Sequence, residues 1–376
     1  MKPIEKFTTW YKELPKKRQI AYASGAGVVL VCLIALIWWA GLSAQYRQDV
    51  AATASPSPKV TTAPTPTPTP ALAASNLNGA MVPAGTENMH PLAVMIENHP
   101  DARPQSGLGS ADLVYEAIAE GGITRFMAVF GNPTAAVRVG PIRSSRPYYV
   151  DFATELNAFY AHVGGSVDAL AQIKATGVLD LDGGALGEPI FKRDLSKNVA
   201  IEHTMYSSTD KLWDRAINVN HWATAANYSP WKFQDDAASD KRATAQSLSV
   251  KVSDPLYDVQ WTYDPATNVY KRSMAGAPHV DANTGKQIEV KNVVLETVQR
   301  SDYTETYGSI NKTVGKYTLT GTGTAVIFQN GVAIKGTWKK QGTERTRYYD
   351  ESGQEISFVR GPIWVHLVED SSKITY

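Results

Sequence analysis

The sequence predicts an α+β protein: an N-terminal transmembrane helix and a disordered stalk, then a layered α/β unit followed by a mostly antiparallel β unit. Three observations predict it. From Ile20 to Leu42 the chain carries no charged side chain. Thr53 to Ser75 are mostly Ala, Ser, Thr and Pro. Beyond residue 84, short apolar runs alternate with helical spacing, and after about residue 250 the periodicity shortens toward two.

The basic stretch 1–19 comes first. Lys2, Lys6, Lys12, Lys16, Lys17 and Arg18 precede the apolar run, whereas only Arg47 and Lys59 follow it closely. The positive-inside rule puts this end in the cytoplasm and the rest outside it. The run over 20–42 closes with Trp38-Trp39, a pair suited to a headgroup boundary. About 20 apolar residues cross a ~30 Å hydrocarbon core. A cleaved signal peptide is the alternative, since Leu42-Ser43-Ala44 offers a cleavage site, although the apolar run is long for one. A lipobox wants a small residue before its cysteine, and Val31 precedes Cys32. Cys32 is the single cysteine, which excludes an intramolecular disulfide and Cys-based zinc patterns. The stalk, 43–83, includes Thr65-Pro66-Thr67-Pro68-Thr69-Pro70 and has little to bury. At ~3.1 Å per residue, about 25 such residues reach roughly 75 Å.

The first folded stretch is set at 84–235. Leu92 to Ile96 reads as a buried strand, followed by a Pro- and Gly-marked loop through Gly107. Asp112 to Glu120 has two readings: a short helix capped by Ser110, or a strand through Leu113-Val114-Tyr115. Ile123 to Phe130 is a strand, Tyr148 to Leu156 a helix and Ala158 to Val163 a strand. Ser166 caps a helix from Val167 to Ala175. The alternation implies a mixed sheet covered on one side.

Several blocks here carry a resemblance. They are Leu92 to Asn98, Ala102 to Leu108, Ala111 to Glu116, Glu120 to Phe126, Gly140 to Arg146 and His162 to Ser166. Together they resemble the YerB-like family of bacterial envelope lipoproteins, a domain of unknown function, over nearly everything after residue 85. The resemblance implies a two-part α+β fold with layered sheets. Family members often carry a lipobox, where this chain has an apolar run and a stalk. The family also typically has Pro-His-Asn before Leu-Tyr. Here Glu202-His203-Thr204-Met205-Tyr206 keeps the histidine and tyrosine and replaces the amide.

The motif loops are rich in arginine, the residue suited to a bidentate grip on carboxylate or phosphate. Arg103, Arg125, Arg143, Arg146, His162 and His203 are the candidate ligand-binding residues, with Glu97, Asp112 and Glu116 to orient them. The bland reading is that the arginines pair with Glu97, Asp112, Glu116, Glu120 and Asp194 to lock loops together. A hydrolase with two of the carboxylates is the runner-up function, although no nucleophile motif such as Gly-x-Ser-x-Gly occurs. No catalytic residue is assigned. His99, His162 and His203 lack the spacing of a metal-binding pair, so no metal and no cofactor is expected. Net charge is +1, which together with the expected location disfavours nucleic acid. The expected partners are a cell-wall polymer, a peptide or an envelope protein, and the membrane through the N-terminal helix.

A polar, Ala-rich connector spans 236–249, and the second stretch 250–376 reads as β. Asn330-Gly331 between two β-rich runs is a strong hairpin signal, because both central residues of a type I′ turn need positive φ. Trp338, Trp364, Tyr348 and Tyr349 are read as sheet core, with an exposed aromatic face as the alternative. The function these readings give is a membrane-anchored extracytoplasmic binding or scaffold module with an Arg-lined anion-recognising cleft.

Overall fold

The computed structural model describes Thr8 and residues 10–18, 36–40, 71–132, 136–307, 309–369 and 373–376. The chain divides into two compact units, Met1–Pro68 and Thr69–Tyr376. In the first, residues 10–13, 16–18 and 36–40 are helical. Among the described residues no helix is long and apolar enough to cross a membrane. The helix expected over 20–42 lies outside them except at 36–40, and the stalk lies outside them up to residue 70.

The stalk expected over 43–83 stops short of its predicted end. Leu72–Ala74 pairs antiparallel with Met81–Pro83. Leu77 between them is fully buried in the core, and Asn78 Nδ2 donates to Asp112 Oδ1 at 2.7 Å. Arg345 donates to the Asn76 and Leu77 carbonyls and Arg360 to that of Gly79, so a stretch with the composition of a spacer is tied to the fold at several points.

The second unit is built on a ten-stranded mixed sheet. Its strands are β1 (Leu92–Glu97), β2 (Leu113–Ile118), β3 (Thr124–Phe130), β4 (Phe159–His162), β5 (Leu179–Asp182), β6 (Asn292–Thr297), β7 (Gly321–Gln329), β8 (Val332–Lys340), β9 (Arg347–Asp350) and β10 (Ile363–Val368). Their order across the sheet is β9-β8-β7-β6-β10-β2-β3-β1-β4-β5. β10 runs parallel to both β6 and β2, with Trp364 opposite Val293 on one side and Val114 on the other. The stretches 84–235 and 250–376 therefore share one sheet. Asp112–Glu120 takes its strand reading: all six residues of β2 are buried, and no helix aligns Asp112, Glu116 and Glu120 there.

Both faces of this sheet are covered, not one. On one face Ala93, Met95, Tyr115 and Met127 pack against Tyr149 and Phe152 of helix α1 (Pro147–Glu155) and Ile173 of helix α2 (Val167–Thr176). On the other, Val94, Ile96, Val114 and Phe126 pack against Trp261, Tyr270 and Val259 of a six-stranded antiparallel sheet. A strand buried on both faces reads as an unbroken apolar run, and all six residues of β1 are buried. Trp338, Trp364 and Tyr348 lie in the core, as the sequence predicts, whereas Tyr349 is only half-buried, with Lys339 over its ring. The Asn330-Gly331 turn has φ of 52° and 75° and joins β7 to β8 with Gln329 opposite Val332.

Candidate functional site

Strand β3 and the loop from Gly140 to Arg146 bring three arginines to one cleft of about 450 Å³, lined by Arg125, Arg143 and Arg146 together with Glu120, Glu305 and Lys312. Arg125 leaves β3 and donates through Nη1 to the Ser144 carbonyl at 2.8 Å, while its Nη2 lies 3.5 Å from Glu120 Oε2. Arg146, the residue before α1, donates from Nε to Glu120 Oε1. Burial lowers the pKa of Arg125, and the neighbouring Arg146 charge adds to this. For Arg146, burial is outweighed by the hydrogen bond and charge of Glu120, which raise its pKa. Burial would push the Glu120 carboxyl up, but the Arg146 hydrogen bond and the Arg125 charge hold it below its ordinary value. The carboxylate is thus ionised between two guanidinium groups.

Arg143 completes the arginine set. Its Nε lies 2.9 Å from Glu97 Oε1, and the other oxygen of Glu97 is 2.7 Å from His203 Nδ1. The far wall comes from the hairpin Arg300–Tyr307 and Ile310–Tyr317, which pairs only with itself among the described strands. Its Glu305 accepts from the backbone N–H groups of Val167 and Asp168 at 3.0 and 3.1 Å, so a carboxylate already sits on the first turn of α2. Ser166 caps that helix by accepting from the Ala169 N–H at 3.3 Å.

The remaining predicted residues go elsewhere. Arg103 is folded onto its own loop, donating to Asn98 Oδ1 and the Asn98 carbonyl, both at 3.1 Å, with its guanidinium over the Tyr257 ring. His162 is fully buried, with Nε2 2.9 Å from Asp180 and Nδ1 2.7 Å from the Gly164 carbonyl. Asp112 accepts from Asn78 and from the Gly131 N–H, and burial raises its pKa.

Glu116, 2% exposed, is closed in by Arg272 Nη2 at 2.9 Å, Trp364 Nε1 at 3.0 Å and His366 Nδ1 at 3.2 Å. Burial would raise its pKa, but the Arg272 charge and hydrogen bond turn the shift downward. The loop-locking pairs foreseen for Glu97, Glu120 and Asp194 are present, with Arg138 2.6 Å from Asp194. Glu116 takes Arg272 from the second half of the chain instead of a local arginine.

Sequence reasoning left out Glu120, Lys312 and Glu305 in the cleft, and Arg272 and His366 around the buried Glu116. Glu120 sits inside a motif block and was legible as an arginine partner. Lys312 and Glu305 lie on a polar hairpin about 160 residues or more from the arginines, and no spacing connects the two.

Comparison with known proteins agrees with the fold. Residues 77–222 match the N-terminal domain and residues 248–365 the C-terminal domain of DUF3048, a protein family of unknown function. The chain is 29% identical over 351 residues to the protein named "Putative lipoprotein YerB" of Bacillus subtilis (strain 168), covering 90% of this chain and 95% of that one. The crystal structure of the YerB protein from Bacillus subtilis superposes with a TM-score of 0.69 at 27% identity, over 81% of this chain and 100% of that chain. With both family domains matched in order and the motif blocks of the first lining the cleft, the chain belongs to the DUF3048 family of YerB-like proteins.

Proposed function

We propose that this protein is a membrane-associated, extracytoplasmic envelope protein that binds an anionic ligand, a phosphate or carboxylate group, in the cleft of Arg125, Arg143 and Arg146. The observation that carries the reading is the convergence of these three guanidinium groups and Lys312 on one open cleft that has only Glu120 and Glu305 as acidic lining. The excess of basic groups attracts an anion, and forked guanidinium donors suit its planar or tetrahedral oxygens. The lipoprotein name of the Bacillus subtilis relative supports a membrane-associated place outside the cytoplasm. The basic residues before the uncharged stretch 20–42 support anchoring by a single pass. No observation favours the hydrolase: Glu116 and Asp112 are closed in by their own partners, and Glu97 is held between Arg143 and His203.

The test is binding of the full-length protein in detergent to two probes, a polyglycerol-phosphate wall polymer and a wall stem peptide with free carboxylates. One of them is expected to bind, more weakly as salt rises. Arg146→Ala and Arg143→Ala are each expected to weaken that binding about tenfold or more, the scale of a lost charged hydrogen bond. Binding unaffected by either substitution, or no binding to either probe at low salt, would refute the cleft.

A further inference from the structure

The loop after β1 and a single turn of 3₁₀ helix about 100 residues later build a second cluster outside the arginine cleft. His99 and Asp101 come from the loop, and His203 ends the turn Ile201–His203. The His99 and His203 rings stack with centroids 4.6 Å apart and planes 11° from parallel. One ligand-capable atom from each of His99, Asp101 and His203 lies within 4.8 Å of the others. We propose that these three residues form a binding site for a divalent transition-metal ion, Zn²⁺ foremost.

A second, independent feature points the same way. Glu97 Oε2 sits 2.7 Å from His203 Nδ1, and Arg143 holds the other oxygen of that carboxylate. A carboxylate on one imidazole nitrogen fixes the ring and, with the proton on that nitrogen, leaves Nε2 as the nitrogen able to take a metal. That is the arrangement of a histidine prepared for a metal.

The exposure of the three side chains is graded in a way that suits ion capture. His203 is 7% exposed, His99 33% and Asp101 56%. His203 is thus held inside the fold, whereas His99, whose Nδ1 accepts from the Asp101 N–H at 3.3 Å, and Asp101 lie at its surface. In a tetrahedral site with bonds of about 2.1 Å the ligand atoms stand roughly 3.4 Å apart. Closing from the present spacing takes side-chain rotation of His99 out of its stack and of Asp101 toward it. Two imidazoles and one carboxylate form a borderline nitrogen–oxygen set, which suits zinc and its neighbours more than calcium or magnesium. Three protein ligands leave a fourth position for water or an incoming group. This proposal stands on residues that do not line the anion cleft, and joins it only through Glu97 and Arg143.

The experiment uses the full-length protein in detergent, without a histidine purification tag and stripped with EDTA, titrated with ZnCl₂ by calorimetry and with Co²⁺ by visible absorption. The expected result is one ion per chain, visible-region bands of nitrogen–oxygen coordination with Co²⁺, and a rise in Tm on adding zinc. His99→Ala and Asp101→Asn should each weaken binding about tenfold or more, and Asp101→Asn, at a side chain 56% exposed, should leave the Tm of the metal-free protein unchanged. Glu97→Gln should cost roughly 10–100-fold in affinity, the range for a carboxylate that orients a ligand. If His203→Ala fails to fold, the other variants carry the test. No zinc uptake by the wild type, or uptake unchanged by His99→Ala and Asp101→Asn, would overturn the assignment.

Discussion

Glu296 on β6 is fully buried, and its Oε2 accepts from the Tyr348 hydroxyl at 2.7 Å. Burial pushes its pKa up to about 7, with Tyr348 working against the shift and Glu155 adding to it. The folded chain therefore binds a proton between about pH 4.5 and 7 that the unfolded chain has released. The stability this contributes is fully present below the ordinary carboxylate pKa and is lost as pH rises through 7, on the order of 3 kcal/mol. Glu296→Gln keeps an acceptor for Tyr348 and cannot ionise. It is expected to be increasingly more stable than wild type as pH rises from 5 to 8, read from urea unfolding at each pH. A gap that does not change with pH would show that Glu296 ionises freely in the fold. His366 acts in the opposite sense. Burial pushes it down to about 4, so its contribution is present above the ordinary histidine value and is lost as pH falls toward 4. Comparing each variant with wild type separates the two.

Local elements were read from the sequence where one residue type is needed at one position. The Asn330-Gly331 turn and the Ser166 cap are both of this kind. At Gly331 the conformation and the surroundings agree: φ is 75°, and a Cβ there would lie 2.5 Å from the Tyr263 ring. Gly331→Ala is expected to destabilise by about 1–3 kcal/mol, the cost of left-handed strain plus displacement of a packed ring. Chemical denaturation measures it, and a change below a few tenths would mean that the turn relaxes freely. Asp112–Glu120 was ambiguous for the opposite reason. Its six residues Leu113–Ile118, apolar except for Glu116, have no turn chemistry among them, and only pairing with β3 and β10 decides that they are extended.

At the scale of the whole molecule, β10 is the hinge of the architecture. It comes from the end of the chain and lies between β6 and β2, so each half of the great sheet has an open edge without it. Arg272 on the six-stranded sheet adds a second tie, reaching Glu116 on β2 through the core. Removing such a partner leaves a buried charge uncompensated, at a cost of about 3–5 kcal/mol. The stretch 71–235 expressed alone is therefore expected not to fold. It would lack β10 beside β2 and the six-stranded sheet over Phe126 and Val114. Dispersed amide signals by NMR and resistance to limited proteolysis would refute this, whereas co-expression with 236–376 is expected to restore both.

The sequence by itself determined what local chemistry can decide. It placed β1, β3, β4, the two helices and the hairpin turn within a residue or two, named the family, and held Arg125, Arg143 and Arg146 within a wider candidate set that also included Arg103, His162 and His203. Those signals are local because dihedral preference, capping and apolar runs act over a few neighbouring residues. Only the tertiary structure decided which charges meet. It turned Arg103 and His162 away, closed Glu116 against Arg272, and brought Glu305 and Lys312 to the cleft and His203 to His99. Electrostatic and metal-ligand contacts act over a few ångströms of space whatever the distance along the chain, and here strand pairing between remote segments sets that space.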